Sequence, residues 1–179
     1  MKKKILYPFH GNTVGGSHVS TFYLIQEINK YDVEIELVFD NKLMLDKLNF
    51  SNNNKTYLLK LASKSLLNFH IVINFVKIFF HLINSKPSVV HINDLRTAYL
   101  WIIPTKILGV PVIFHYRTRW IKSRFSAFLT FLSNKIFVAS NFIEKDIPEK
   151  FRKKIVKVNN IFSHRKLKKK EEKNLMYVL

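Results

Sequence analysis

Short apolar runs alternate with longer amphipathic stretches along most of the chain. The short runs are nearly continuous in apolar character, as expected for strands that helices cover on both faces. They predict seven strands, over residues 4–8, 33–39, 56–61, 88–93, 110–116, 135–139 and 155–159. The stretches between them predict helices over residues 17–30, 41–48, 65–84, 95–108, 120–133 and 141–146. This alternation predicts an α/β fold with a doubly wound parallel sheet.

Turn and capping residues mark several joints between these elements. Gly109 suits the left-handed position that follows a helix, and Pro111 comes next as a strand opens. Ser17 is placed to cap the first helix. Asn141, with Glu144 three residues later, predicts a capping pair that opens the last helix.

The helix predicted over residues 65–84 is apolar enough to raise the question of a membrane span. Its polar side chains recur at spacings of three and four, which places them in one narrow stripe. The stripe consists of His70, Asn74, Lys77, His81 and Asn84. A cationic stripe argues against spanning, so we expect the helix to pack on the sheet with this stripe as its wet edge. The alternative is an interfacial helix that contacts lipid.

Composition adds a strong positive charge to this picture. The chain has 30 Lys and Arg against 12 Asp and Glu, a formal charge of +18. This excess favours anionic partners, although compositional drift toward lysine explains it equally well. There is no cysteine, so a disulfide framework is excluded and a reducing compartment is permitted. The apolar run after the basic start covers only residues 5–8, too short for a signal peptide, and we predict a cytoplasmic protein.

The first strand leads into a glycine-containing turn. Gly15 and Gly16 let backbone N–H groups approach an anion closely, and the helix that opens at Ser17 adds partial positive charge. The turn therefore predicts a phosphate or diphosphate contact; the alternative is a plain tight turn. Its spacing matches neither G-x-G-x-x-G nor a P-loop, which disfavours a dinucleotide dehydrogenase and a P-loop NTPase.

Polar residues also follow two later strands, at the sheet edge where open α/β folds bind ligands. His115 lies one residue from its strand end, with Arg117 and Arg119 just beyond, and we expect this histidine to be functional. The arginines suit a phosphate-bearing acceptor. Weaker candidates at this edge are His10, His18, Asn93 and Asp94. We expect His91, inside its strand, to be structural.

Four segments in this order resemble the family 4 glycosyltransferases of the GT-B fold. They are residues 4–7 with 15–18, 90–94, 109–115 and 136–143, and the resemblance extends over essentially the whole chain. It implies an N-terminal Rossmann-like domain that binds the acceptor and faces a C-terminal domain that binds a nucleotide-sugar. It also implies transfer with retained anomeric configuration, with the nucleotide-sugar as co-substrate and neither a cofactor nor a metal ion.

The resemblance carries roles onto individual residues. Gly15, Gly16 and the adjoining Ser17 would lie against the donor diphosphate. His115 matches the histidine beside the transferred sugar and is our catalytic candidate. Acceptor contacts would come from His18, Asn93 and Asp94, and Ser140 matches the serine that ends a later strand of the family. Arg117 and Arg119 match no family motif and remain acceptor-binding candidates from their position alone.

The carboxyl-terminal region predicts a change of domain. We expect a Rossmann-like domain over residues 1–162, a basic linker over 163–173, and over 174–179 the first strand of a donor-binding domain that the chain lacks. A chain without that domain would bind a donor poorly and would need a donor domain from elsewhere to be active.

The resemblance suggests a role in cell-surface polysaccharide or lipopolysaccharide assembly, on a glycan or lipid-linked acceptor at the inner face of the cytoplasmic membrane. One stretch mixes cations with aromatic residues at helical spacing and predicts contact with an anionic membrane. It contains Arg117, Arg119, Trp120, Lys122, Arg124, Phe125 and Phe128. Alternatively, Phe125 and Phe128 pack on the sheet.

Two further functions stay open. One is a non-catalytic basic module that holds an anionic partner, and the other is a sugar-nucleotide epimerase of the same fold. No nucleic-acid-binding motif is present, so we expect no nucleic acid partner.

Overall fold

The computed structural model describes residues 2–11, 13–48, 54–61, 69–117, 119–120 and 122–158. Within them lies a seven-stranded sheet in the order β3-β2-β1-β4-β5-β6-β7, and every neighbouring pair is parallel. The strands are β1 Lys3–Phe9, β2 Val33–Phe39, β3 Lys55–Leu58, β4 Val89–Ile92, β5 Val112–Tyr116, β6 Lys135–Val138 and β7 Ile155–Lys157. All seven predicted strands are present, although β3 ends earlier than predicted.

The helices alternate with the strands. They are α1 Gly16–Ile28, α2 Lys42–Leu48, α3 Phe69–Ser85, α4 Leu95–Ile107, α5 Arg124–Leu132 and α6 Asn141–Asp146. A 3-10 helix, Glu149–Lys154, follows α6 and was not predicted. Because the strand order reverses direction at β1, right-handed crossovers place α1 and α2 on one face of the sheet and α3 to α6 on the other.

Each face of the sheet has its own hydrophobic core. On the α1 and α2 side, Ile25 and Met44 pack against Tyr7, Phe9 and Phe39 of the central strands. On the other side a larger cluster joins α3, α4, α5 and α6 to the sheet. Its members include Leu82, Trp101, Leu129 and Ile143. The doubly wound α/β fold predicted from the sequence is confirmed.

Local capping differs from the prediction at two helices. Helix α1 begins at Gly16 with Gly15 as its N-cap, one residue before the predicted start, and His18 Nδ1 accepts a hydrogen bond from the Gly15 N–H at 3.0 Å. Ser140, not Asn141, caps α6, because its Oγ accepts from the Ile143 N–H at 3.3 Å. Gly109 takes the predicted left-handed conformation, with φ of 71°.

Helix α5 is shorter than predicted. Ser123 adopts an extended backbone and its Oγ accepts from the Ser126 N–H at 3.0 Å, so the helix begins only at Arg124. Trp120 and Lys122 precede it and do not continue its helical spacing. Phe125 and Phe128 are each 46% exposed, whereas Leu129 packs on the sheet. The alternative that these two phenylalanines belong to the core is therefore wrong.

Part of the polar stripe of helix α3 faces the sheet. The prediction that this stripe faces water is therefore wrong for Asn74 and His81. Asn74 is 3% exposed, and His81 Nε2 lies 2.8 Å from Oε1 of Glu36. Ser85 Oγ donates to Oε2 of the same carboxylate at 2.6 Å. Glu36 is fully buried in β2, and a buried charge needs such partners, which fixes the rotation of the helix.

Two predictions concern residues that the structure does not describe. They are the linker over 163–173 and the strand over 174–179, and the first residues of the helix predicted over 65–84 also lie outside the described ranges. Among the described residues, no helix combines the length and the apolar character that a membrane crossing requires.

Candidate functional site

The carboxyl ends of β1, β4 and β5 meet at one edge of the sheet, because these strands are parallel neighbours. A small cavity of about 50 Å³ opens there. Its lining includes Ser17, Asn93, Asp94, His115, Arg117 and Arg119. The structure therefore brings most of the predicted site residues together, from three separate parts of the chain.

Two buried histidines lie side by side at this edge. The rings of His91 and His115 are 5.6 Å apart between centroids, and both pack against Phe137. Burial lowers the pKa of His115 to about 2, with further lowering by the charge of Arg117 and by His91. Burial and Arg117 likewise lower the pKa of His91 to about 3. Both imidazoles are therefore neutral near pH 7.

Several buried polar atoms of the cavity have no partner among the described residues. They are both ring nitrogens of His115 and both amide atoms of Asn93, and the two side chains are 1% and 2% exposed. Leaving one buried polar group unsatisfied costs about 1–3 kcal/mol, so native proteins keep such groups where something else binds them. This cluster is the strongest structural sign of a ligand site in the described part of the chain.

Arg117 connects the end of β5 to helix α1. Its Nη1 donates to Ser20 Oγ at 2.5 Å, and its side chain is half-buried. Burial lowers the pKa of Arg117 to about 10, so the guanidinium keeps its charge near pH 7. This positive charge lies at the wall of the cavity and favours an anionic group of a ligand.

Arg119 lies further out, at the rim. Its side chain is 73% exposed, its Nε is 3.7 Å from an Asp146 carboxylate oxygen, and its guanidinium stacks on Phe142 at 4.6 Å. An exposed ion pair of this kind contributes at most about 1 kcal/mol, so it holds Arg119 only loosely and leaves the guanidinium able to turn to a ligand.

The glycine turn leaves open space around Gly15 and Gly16, although neither glycine lines the cavity. A Cβ built on Gly16 would meet no atom within 4 Å, and one on Gly15 would meet only His18 Nδ1 at 3.9 Å. Packing within the described residues therefore does not explain these two glycines, and a ligand can approach their backbone closely. Gly11, earlier in the turn, has a φ of 110° that favours glycine, and its N–H donates to the Asp40 carboxylate at 3.1 Å.

Asp94 and His18 have structural tasks that the sequence did not reveal. The Asp94 carboxylate caps α4 by accepting from the Thr97 N–H at 2.8 Å and from its hydroxyl at 2.7 Å. His18 holds the Gly15 N–H, and burial lowers its pKa. Of the neighbouring pair, Asn93 thus offers unoccupied polar atoms to the cavity while Asp94 starts the helix behind it.

A second and larger cavity of about 410 Å³ adjoins the first, since Asp94 and Leu95 line both. Its other lining residues include His10, His18, Arg96 and Tyr99. Arg96 and Tyr99 were not among the predicted site residues, because they lie inside α4 and not at a strand end. Their spacing of three places them on one side of the helix's first turn, which is the signal that could have found them.

Comparisons with known proteins place this architecture in a recognisable class. No protein-family model and no curated protein sequence matches the chain. Solved structures do match. Acinetobacter baumannii MurG superposes with a TM-score of 0.71 at 14% identity, over 92% of this chain and 47% of MurG.

Two further matches are a glycosyltransferase from Rickettsia africae and a UDP-GlcNAc 2-epimerase from Methanocaldococcus jannaschii. The first has a TM-score of 0.69 at 17% identity over 88% of this chain and 43% of that one. The second has a TM-score of 0.63 at 16% identity over 89% and 46%.

These matches establish the fold. The described domain is a Rossmann-like α/β domain of the kind found in GT-B proteins, and its structural neighbours are glycosyltransferases and epimerases. The chain spans less than half the length of each of them.

Proposed function

We propose that this domain is the acceptor-side half of a retaining, nucleotide-sugar-dependent glycosyltransferase of cell-surface glycan or lipopolysaccharide assembly. One observation carries the proposal. The unsatisfied polar atoms of His115 and Asn93 converge beside Arg117 at the ligand-binding edge of a GT-B-type domain. The sequence resemblance to family 4 enzymes supports the finer assignment.

On the donor side, the amino end of α1 would receive the diphosphate. Gly15 and Gly16 have no side chain there to block the approach, Ser17 lines the adjoining cavity, and the helix dipole favours negative charge. The neutral His115 would hydrogen-bond a hydroxyl of the transferred sugar. A group with a pKa of about 2 is a poor base near neutral pH, so His115 would orient the sugar and would not accept a proton from it.

On the acceptor side, the cavity of about 410 Å³ has room for a sugar unit or a phosphate-bearing group. Arg96 and Tyr99 would contact the acceptor there, and Arg117 and Arg119 would bind its phosphate from the smaller cavity. The Asn93 amide would bind an acceptor hydroxyl. We propose no metal ion or cofactor for this chemistry.

A second half-domain is part of the proposal. The matched proteins are about twice as long as the part that resembles this chain, and one of them is named for acting on UDP-GlcNAc. We therefore propose that a donor-binding domain, in the same polypeptide or separate, completes the cleft. A lipid-linked acceptor would bring the protein to the inner face of the cytoplasmic membrane.

Two other functions are distinguishable by experiment. An epimerase of this fold would convert a nucleotide-sugar without an acceptor, so a product that forms without acceptor would favour it. The structural similarity to the Methanocaldococcus epimerase is the observation that favours this candidate. A non-catalytic basic module would bind its anionic partner with no turnover under any condition.

The decisive assay measures transfer from labelled nucleotide-sugars, with the 179-residue chain alone and with a donor-binding half added. We expect no transfer by the chain alone and transfer when the donor half is present. Clear turnover by the chain alone would refute the need for a second domain, and no turnover with any donor half and acceptor would refute the transferase.

Two adjacent substitutions connect this activity to the site. Asn93→Ala removes atoms that contact no described partner, so we expect an unchanged melting temperature and a loss of activity of about 10²-fold. Asp94→Ala is the matched control, because it removes the α4 cap. It should cost about 1 kcal/mol of stability. Equal activity of Asn93→Ala and the unsubstituted protein would remove Asn93 from the site.

A further inference from the structure

Helix α3 exposes an apolar stripe that nothing in the described structure covers. Six side chains on its outer side follow the spacing of a single helical face and are between 39% and 69% exposed. They are Phe69, Val72, Ile73, Val76, Phe80 and Ile83. We call them the α3 stripe. Surface helices usually turn such a face toward the core, so its exposure calls for a partner.

The neighbouring helices continue this apolar surface. Helix α4 packs between α3 and α5, and it contributes the exposed Ile107. Helix α5 adds three aromatic side chains that are 46% to 64% exposed. They are Phe125, Phe128 and Phe131. Each of these three neighbouring helices thus exposes apolar side chains.

The charged residues of α3, α4 and α5 are all basic, whereas α6 and the 3-10 helix beside them also carry carboxylates. Helices α3, α4 and α5 contain no Asp or Glu, and apart from Arg96 at the acceptor cavity they carry Lys77, Lys106 and Arg124. The helices on the opposite side of the sheet do carry carboxylates, Glu27 in α1 and Asp46 in α2. Exposed apolar groups among cations without carboxylates are complementary to a surface that is apolar inside and anionic outside.

A groove beside α5 repeats this chemistry. It has a volume of about 640 Å³ and lies between α5 and the 3-10 helix, where Phe128 and Phe131 meet Lys150 and Lys154. The Lys154 ammonium lies 5.3 Å from the Phe131 ring centroid. Aromatic rings beside lysines are the side chains that enter the headgroup region of a bilayer.

We infer that the face formed by α3, α4 and α5 binds an anionic lipid bilayer, with the α3 stripe inserted at the interface. A second copy of the chain fits less well, because a symmetric pairing of this face would bring its cations against one another. The inference does not depend on the transferase proposal, since no residue of the α3 stripe lines either cavity of the candidate site.

Vesicle flotation of the 179-residue chain tests this surface. We expect binding to vesicles of equal parts phosphatidylglycerol and phosphatidylcholine, weaker binding as salt increases, and little binding to phosphatidylcholine alone. Val76→Glu combined with Phe80→Glu should reduce the partition coefficient by about tenfold or more, because both side chains are exposed and contribute apolar area. Tyr31→Glu with Leu43→Glu is the matched control, since both residues are exposed outside this face, and it should bind as the unsubstituted chain does.

A second measurement avoids any effect of the glutamates on folding. The chain has no cysteine, so Phe80→Cys and Leu43→Cys each give one position for an environment-sensitive fluorophore. Anionic vesicles should shift the emission of the label at position 80 to the blue and leave that at position 43 unchanged.

Three results would overturn the inference. One is a folded double-glutamate variant that floats as well as the unsubstituted chain. Another is a label at position 80 whose emission ignores the vesicles. The third is self-association without lipid that the α3 substitutions abolish, which would assign the face to a second copy.

Discussion

The buried contact between Glu36 and His81 gives the sharpest test of how α3 is held. Glu36 is fully buried, and the His81 side chain is 13% exposed. The carboxylate only accepts hydrogen bonds, so His81 Nε2 is the donor at 2.8 Å. Ser85 is the second donor, and the Lys4 ammonium lies 3.7 Å away. His81→Leu therefore leaves a buried charge with part of its support removed.

The expected cost follows from the partners that remain. Removing a hydrogen-bond donor from a buried charged acceptor costs about 3 kcal/mol, and we expect no more than this because Ser85 and Lys4 still contact the carboxylate. For a domain of this size, about 3 kcal/mol lowers the melting temperature by about 6–12 °C. Glu36→Leu combined with His81→Leu also removes the buried carboxylate charge. The double substitution should therefore recover most of the stability that His81→Leu alone loses.

A double-mutant cycle in urea at pH 7 measures the coupling between the two positions. We expect about 1–3 kcal/mol. Burial raises the pKa of Glu36, but hydrogen bonds from His81 and Ser85 outweigh it and hold that pKa below its ordinary value. The carboxylate's contribution is thus present above the unfolded pKa of 4.5 and is lost as the pH falls through the lowered folded value. His70→Leu, which replaces another histidine of the same helix, is the control for the His81→Leu substitution. A coupling within about 0.5 kcal/mol of zero would refute the reasoning.

Two predictions concern pH. The hydrogen bond to Asp40 raises the pKa of His10 above 6.5, so this pair stabilises the fold fully below pH 6.5 and less as the pH rises through the raised value. Asp40→Asn should lower the NMR titration midpoint of His10, and an unchanged midpoint would contradict the pairing. Burial lowers the pKa of His91 and His115 to about 3 and 2, so the unfolded chain binds more protons below pH 6.5 and stability falls there. In urea unfolding, His91→Phe should make the free energy of unfolding fall less steeply below pH 6.5. An equally steep fall would show that His91 is charged when folded.

The sheet and the position of the site were predictable because both depend on local pattern and topology. Nearly continuous apolar runs marked all seven strands, and parallel strands must bring Ser17, Asn93 and His115 to one edge. The roles of neighbouring polar residues were less accessible. Nothing in the sequence order separates Asn93, which offers free polar atoms, from Asp94, which caps a helix.

The rotation of α3 was mispredicted because the deciding residue lies in another element. The polar stripe of a helix usually faces water, and the helix sequence alone gives no reason to turn it inward. Glu36 supplies that reason from β2, where it follows Ile35 and precedes Leu37 in the middle of an apolar run. A carboxylate in a central strand requires donors, and His81 and Ser85, four residues apart on one helical face, could have been recognised as the pair.

The inward rotation of the polar stripe also explains why the α3 stripe is exposed on the lipid-binding face. Turning α3 by half a rotation would bury the α3 stripe, and full burial of a large aliphatic or aromatic side chain contributes about 1.5–3 kcal/mol. It would also remove the hydrogen bonds of His81 and Ser85 to the buried Glu36. It would expose Ile78 and Leu82, which now belong to the core. The Glu36 network therefore keeps a large apolar area in water unless something else covers it. A bilayer that receives the α3 stripe removes that cost without changing any contact inside the domain. Vesicles should accordingly raise the melting temperature of the unsubstituted chain, and the same vesicles should leave that of Val76→Glu combined with Phe80→Glu unchanged.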